Sequence, residues 1–168
     1  MNWDAFSFFS DRISALIPAR DIGMKTVRVS GLEGLEDAVA NMLDAPALCC
    51  VSDSSDGDID LECSPSDSNF KLIFLLIRTP EGDMAARHRH LKTLRLIFHA
   101  LLSVLIQERT RLENDCLFLD PKIQFHEAPA PLLSGYTCVW FQLRIVAPLD
   151  LRINSNLWTD GTACDIPH

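Results

Sequence analysis

Phe70-Lys-Leu-Ile-Phe-Leu-Leu-Ile77 is apolar at every position but one, and a long helical pattern from Asp83 to about Arg111 follows it after the break Thr79-Pro80-Glu-Gly82. An apolar run of that length with no alternation predicts a central strand, covered on both faces or meeting another subunit. Asp83 can cap the helix, and Leu91, Leu94, Phe98, Leu101 and Leu105, joined by Ile97, Leu102 and Val104, recur at helical spacing. Two alternating segments come next. In Lys122–Glu127, Ile123 and Phe125 face one way. In Tyr136–Ala147, Thr137, Val139, Phe141, Leu143 and Ile145 form a core face, and Tyr136, Cys138, Trp140, Gln142, Arg144 and Val146 form a mixed face suited to an interface. This order predicts an α+β fold, with a mixed, mostly antiparallel sheet of about four to five strands backed by one long helix and shorter N-terminal helices.

The N-terminal part supplies those shorter helices. Asp4–Ile17 places Phe6, Phe9, Ile13, Leu16 and Ile17 at helical spacing, with Asp4 as cap and Pro18 as stop. A brief strand is expected at Thr26–Val29. Ser30-Gly-Leu-Glu33 reads as a capping box that starts a helix at Gly31, with Leu32, Leu35, Ala38, Val39, Met42 and Leu43 on one face up to Pro46. Ala47–Ser52 reads as a strand, and the Asp56-Gly57 pair predicts a hairpin returning through Ile59 to Cys63. The loop Ala128–Ser134, with Pro129 and Pro131, is a candidate projecting arm. Residues 1–150 are expected to form one domain and residues 151–168 an extended tail anchored by Trp158, able to dock on a neighbour.

Composition narrows the function classes. With 168 residues, 48% hydrophobic and 23% charged, the chain can bury one core and keep an apolar surplus of the kind that ends in subunit contacts. Its net charge of −8 and pI near 5.0 argue against specific nucleic-acid binding. The segment Met1–Ile17 has no basic region ahead of its apolar positions, and no apolar block approaches the roughly 20 residues of a membrane span. An intracellular, membrane-free location is therefore expected. The six cysteines, Cys49, Cys50, Cys63, Cys116, Cys138 and Cys164, show no metal or secreted-framework spacing and read as reduced thiols, mostly buried. For the adjacent pair Cys49-Cys50, alternation predicts one buried and one partly exposed thiol.

Chemistry-bearing motifs are sparse. Arg87-His-Arg-His90 gathers two imidazoles and two guanidiniums, but on a helix His88 and His90 stand about 200° apart and cannot share one metal ion. With Lys92 and Arg95 it forms a solvated basic face able to meet an acidic surface of a partner or a phosphate backbone. The aspartates of 53–60 fail as a calcium loop, because Ser52 would fall at the first ligand position and Cys63 where a bidentate Glu belongs. No nucleophile-elbow, zinc-protease, P-loop or dinucleotide motif occurs, and Cys138 with His126 is a thiol–imidazole pair that spacing alone does not support. No catalytic residue, metal ligand or cofactor is expected.

The helix start Ser30-Gly-Leu-Glu-Gly-Leu-Glu36, the strand Phe70–Ile77, the Gly82-Asp83 helix opening and Gly135-Tyr136 leading a long strand before Trp158 resemble small phage and prophage proteins of the tail terminator, or tail completion, type. The resemblance spans roughly Ser30–Trp158. It implies a non-enzymatic, cofactor-free subunit of a homo-oligomeric ring, commonly a hexamer, that caps the tail tube, docks on the head connector and functions in virion assembly. The location implied is the bacterial cytoplasm and then the virion. The residues expected to serve as interfaces are Tyr136, Trp140, Arg144 and Trp158, with Arg87, Arg89, Lys92 and Arg95 lining a lumen or pairing with acidic groups. The alternative readings are a small intracellular ligand- or partner-binding domain, and an enzyme using Cys138 or a histidine.

Overall fold

The apolar run lies in β4 (Ser66–Arg78), which pairs antiparallel with β7 (Tyr136–Pro148) from Ser66↔Pro148 to Arg78↔Tyr136, along all thirteen residues of each strand. The computed structural model describes residues 3–31, 33–41, 44–52, 56–62, 64–128 and 135–149. Around this central pair run β1 (Met24–Val29), β2 (Ala47–Ser52), β3 (Gly57–Asp60), β5 (Phe118–Leu119) and β6 (Gln124–Ala128). Across the sheet the order is β1-β2-β4-β7-β5, with β3 beside β4 and β6 beside β7. Seven strands thus fill five positions, and the β1–β2 pair is parallel while the others are antiparallel. The fold is α+β, as the element order predicts.

The expected hairpin between Ala47–Ser52 and Ile59–Cys63 does not form. β2 and β3 run in the same direction along the same edge of β4, pairing with Ile73–Ile77 and Ser66–Asn69 respectively. The glycine of Asp56-Gly57 serves close approach rather than a tight turn, since a Cβ at Gly57 would stand 2.6 Å from the Ser68 carbonyl oxygen. Between the two strands Ser52 Oγ accepts from the Leu72 amide at 2.9 Å, so a side chain stands in for the missing ladder acceptor. Residue 63 lies outside the described residues.

One sheet face carries the helices. α1 (Ala5–Ala15) is capped by Asp4, whose carboxylate accepts from the Phe6 and Ser7 amides at 3.2 and 3.3 Å. Pro18 does not simply end this helix. It opens α2 (Ile17–Asp21) from the first turn, where its missing N–H costs nothing. The break comes at Leu16, which is extended, and Ile17 is left 64% exposed instead of reaching the core. The long helix α4 (Met84–Asn114) lays Leu94, Ile97, Phe98, Leu101, Leu105 and Leu112 against this face, where they meet Ile73, Leu75, Val139, Phe141 and Leu143. Phe141 is the centre of an aromatic chain, 5.9 Å from Phe9 and 4.9 Å from Phe98, which in turn lies 5.2 Å from Phe125.

The opposite face holds a smaller cluster of Val29, Leu35, Leu48, Cys50, Phe74, Leu76 and Cys138 under α3 (Glu33–Asn41). That helix begins at Glu33 rather than Gly31, because Gly31 adopts φ +67° and cannot sit in a right-handed helix. The carboxylate half of the capping box, and Leu32, Met42 and Leu43, lie outside the described side chains. Because β2 is covered on both faces, Cys49 and Cys50 are both fully buried, one in each cluster, against the expectation of one partly exposed thiol.

α4 ends in a Schellman motif. The Leu117 amide donates to the Leu112 carbonyl at 2.8 Å and the Cys116 amide to the Glu113 carbonyl at 3.1 Å, with Cys116 at φ +59°. A side chain in that conformation costs about 1 kcal/mol relative to glycine. Cys116 is exposed, so Cys116→Gly is expected to stabilise the protein by about 1 kcal/mol, read as a higher urea midpoint at unchanged slope.

Candidate assembly interface

On the α3 side, α3 packs on β1, and no other described helix lies on this face. Tyr136, Trp140 and Arg144, four residues apart on β7, share this face as their spacing predicts. Trp140 is half-buried. His126, directly opposite on β6, stacks on it with ring centroids 4.2 Å apart and planes at 21°, and Phe74 lies 6.0 Å to its other side. The Arg144 guanidinium sits 5.6 Å over the Phe70 ring and donates to Ser68 Oγ at 3.4 Å. Arg78 donates to the Tyr136 hydroxyl at 3.5 Å with its guanidinium 5.9 Å from that ring. The row is therefore a band of aromatic rings with a guanidinium at each end, an arrangement that holds flat surfaces and cation–π contacts in fixed positions. Trp158 and the loop 129–134 lie outside the described residues.

The basic residues of α4 do not act as one stripe. Arg87 is half-buried while Arg89 and Lys92 are exposed, consistent with the roughly 200° that separates two positions on a helix. Arg95 is already engaged. Its guanidinium grips both oxygens of Glu127 on β6, one of the bonds at 2.6 Å, and so ties α4 to the sheet edge. The Arg95 hydrogen bond and charge hold the Glu127 carboxyl below its ordinary value of 4.5. Since the folded pKa is the lower one, this stabilisation is complete above pH 4.5 and is lost as pH falls through the depressed value. The stability difference between the wild type and Glu127→Gln, followed by urea unfolding from pH 7 to pH 3, is expected to shrink toward zero at the acid end.

His88 is exposed, and His90 is built into the fold. Thr79 Oγ1 donates to the Ile77 carbonyl at 3.1 Å, lies 2.7 Å from Thr137 Oγ1 and 2.8 Å from His90 Nδ1. This chain joins the end of β4, the start of β7 and the first turns of α4. Burial, then the neighbouring Arg89, lower the His90 pKa, opposed by Asp83.

The thiols sit in apolar surroundings. Burial pushes Cys50 and Cys138 up to about 12 and raises Cys49 still further, so these groups are protonated at neutral pH. His126 is committed to Trp140, with Cys138 set opposite Ala128. Native labelling with a thiol reagent at pH 7.5, mapped by mass spectrometry, is expected to modify Cys116 at least about 100-fold faster than Cys49, Cys50 or Cys138. Among the described residues no three potential metal ligands come together.

Sequence spacing did not single out the cleft between the start of α1 and the end of α4. It encloses about 250 Å³ and is walled by Trp3, Phe8 and Leu112, with Asp11, Glu108 and Arg111 among its polar groups. Glu108 is buried and bonded to Arg111 at 3.2 Å. The signal was present, because Glu108 continues the three-and-four spacing of Leu101, Leu105 and Leu112 and so falls on the buried stripe.

The chain matches no protein-family model and none of the curated proteins. Among the described residues no helix is long and apolar enough to cross a membrane.

Proposed function

We propose that this chain is a non-enzymatic structural subunit of a phage or prophage tail, a tail terminator that assembles as a ring at the junction of tube and head connector. The observation that carries this reading is the Tyr136–Trp140–Arg144 row, a band of half-exposed rings on a rigid central strand. A closed ring of like subunits needs two different, complementary surfaces. Here the aromatic face and the exposed basic residues Arg89 and Lys92 on α4 lie on opposite sides of the sheet, which suits a head-to-tail arrangement better than a twofold one. The raised thiol pKa values run against the cysteine-nucleophile alternative. The cleft at Trp3 and Glu108 is the feature that favours the second reading, a domain that binds a small ligand or a single partner.

The test is solution mass by multi-angle light scattering across a wide concentration range at low and moderate salt. The expected result is a species near six times the 18.8 kDa subunit, with Trp140→Ser raising the concentration at half-assembly at least about tenfold, the effect of losing a central aromatic anchor. A monomer at every concentration, unchanged by Trp140→Ser, would overturn the reading.

A further inference from the structure

The cleft between the start of α1 and the end of α4 lies on the helix side of the sheet, on the other face from the aromatic row. We propose that it binds a primary alkylammonium ion, with the ammonium group at Glu108 and the carbon chain along Trp3 and Leu112. This site is independent of the ring reading and is expected in a monomer and in a ring alike.

The two walls repeat one pattern. α1 with its cap contributes Asp4, Phe8 and Asp11, and α4 with its cap contributes Glu108, Leu112 and Asp115. Each set is a carboxylate, an apolar residue and a carboxylate at positions i, i+4 and i+7, a spacing that keeps all three on one side of a helix. Apolar surface is thus flanked by carboxylates on both walls. Four carboxylates stand against the two guanidiniums of Arg12 and Arg111, and the C-terminal end of α4 adds negative partial charge, a balance that favours a cation. Asp4 is already spent on the α1 cap and on Arg28 at 2.9 Å. The side chains of Asp11 and Asp115 have no hydrogen bond or ion pair among the described residues.

Glu108 distinguishes this cleft from a solvated acidic surface. It is only 7% exposed, and Oε1 accepts from Arg111 at 3.2 Å. Oε2 has no partner among the described residues, yet it is not sealed from solvent, so it opens to the cleft that Glu108 lines. A carboxylate oxygen held this far from bulk water and left unbonded gains more from a charged donor than an exposed one does.

The rest of the cleft sets the kind of cation. A primary ammonium carries three N–H donors, enough for Glu108 Oε2 and for Asp11 or Asp115, whereas a quaternary ammonium has none. The half-buried indole of Trp3, 5.6 Å from the Phe8 ring, supplies a face for a cation or its methylenes. Phe8 already carries the Arg12 guanidinium at 5.4 Å. Size sets the limit: a cavity of about 150 Å³ takes a six-atom ring, so the 250 Å³ here has room for about ten non-hydrogen atoms. Short alkylamines and diamines fit, and a lysine side chain of a partner offers the same chemistry.

The experiment is equilibrium dialysis of the full chain against radiolabelled cadaverine in about 0.15 M NaCl, where charges on the open surface are screened beyond about 8 Å. The expected result is saturable uptake of one cadaverine per chain, weakened at least about tenfold by Glu108→Gln and also weakened by Asp11→Asn. Asp37→Asn, which removes the same charge from an exposed position on α3, should leave it unchanged. If Glu108→Gln does not fold, as read by circular dichroism, Asp11→Asn against Asp37→Asn carries the same comparison. Unlabelled Nα-acetyl-lysine N-methylamide that displaces the label better than cadaverine itself assigns the site to a partner's lysine, and one that displaces it less well assigns the site to a free amine. Uptake that does not saturate, that Asp11→Asn and Asp37→Asn alter alike, or that tetramethylammonium displaces as well as cadaverine does, would overturn the proposal.

Discussion

The pairing of β4 with β7 along thirteen residues is the constraint on which every other element depends. It creates a central two-strand ribbon whose faces are both apolar over most of their length, so each must be covered. α1 and α4 cover one face with the larger cluster, centred on Phe141. α3 covers only part of the other. That the described helices cover only part of this face is a consequence of the ribbon's length set against one short helix. A nine-residue helix spans about 13.5 Å, and a thirteen-residue strand about 44 Å.

The polar contacts sit where these layers meet. Arg95 with Glu127 binds the middle of α4 to the β6 edge, and Thr79, Thr137 and His90 bind its start to the ends of β4 and β7. At the far end the Schellman turn ties Leu117 back to Leu112, and Glu108 bonds Arg111 one turn on within α4, beside the cleft. The long helix is therefore held to the sheet by polar contacts at two points along its axis as well as by apolar contact.

Local periodicity made most of this legible. β2, β4, β7 and α4 could be read from apolar spacing because each has enough residues for a period to show. The assignment of Trp140 and Arg144 to a common face followed from alternation by two. Pairing partners were harder. Asp56-Gly57 carries a turn signal, yet the choice between pairing β3 with β2 or with β4 depends on which edge is free, and that is settled by residues far along the chain. Likewise His126 has no feature in sequence that marks it as the stacking partner of Trp140, because the register that brings them together is set by β7. The Thr79–Thr137 contact joins residues 58 positions apart and leaves no local trace.

The two flanking positions of the sheet share a device. Along β4, six steps of chain from Val51 to Gly57 accompany four steps from Ile73 to Asn69, and along β7 five steps from Leu119 to Gln124 accompany three from Ile145 to Gln142. Each interruption therefore holds two surplus residues. Two is the repeat of a strand's side-chain alternation, so each strand resumes with its inward and outward positions in phase with those before it. The flanking strands thus keep the same assignment of faces on both sides of each interruption. A change of two residues at either site preserves that phase along extended chain, while a single residue shifts it by half a repeat unless the interruption absorbs it.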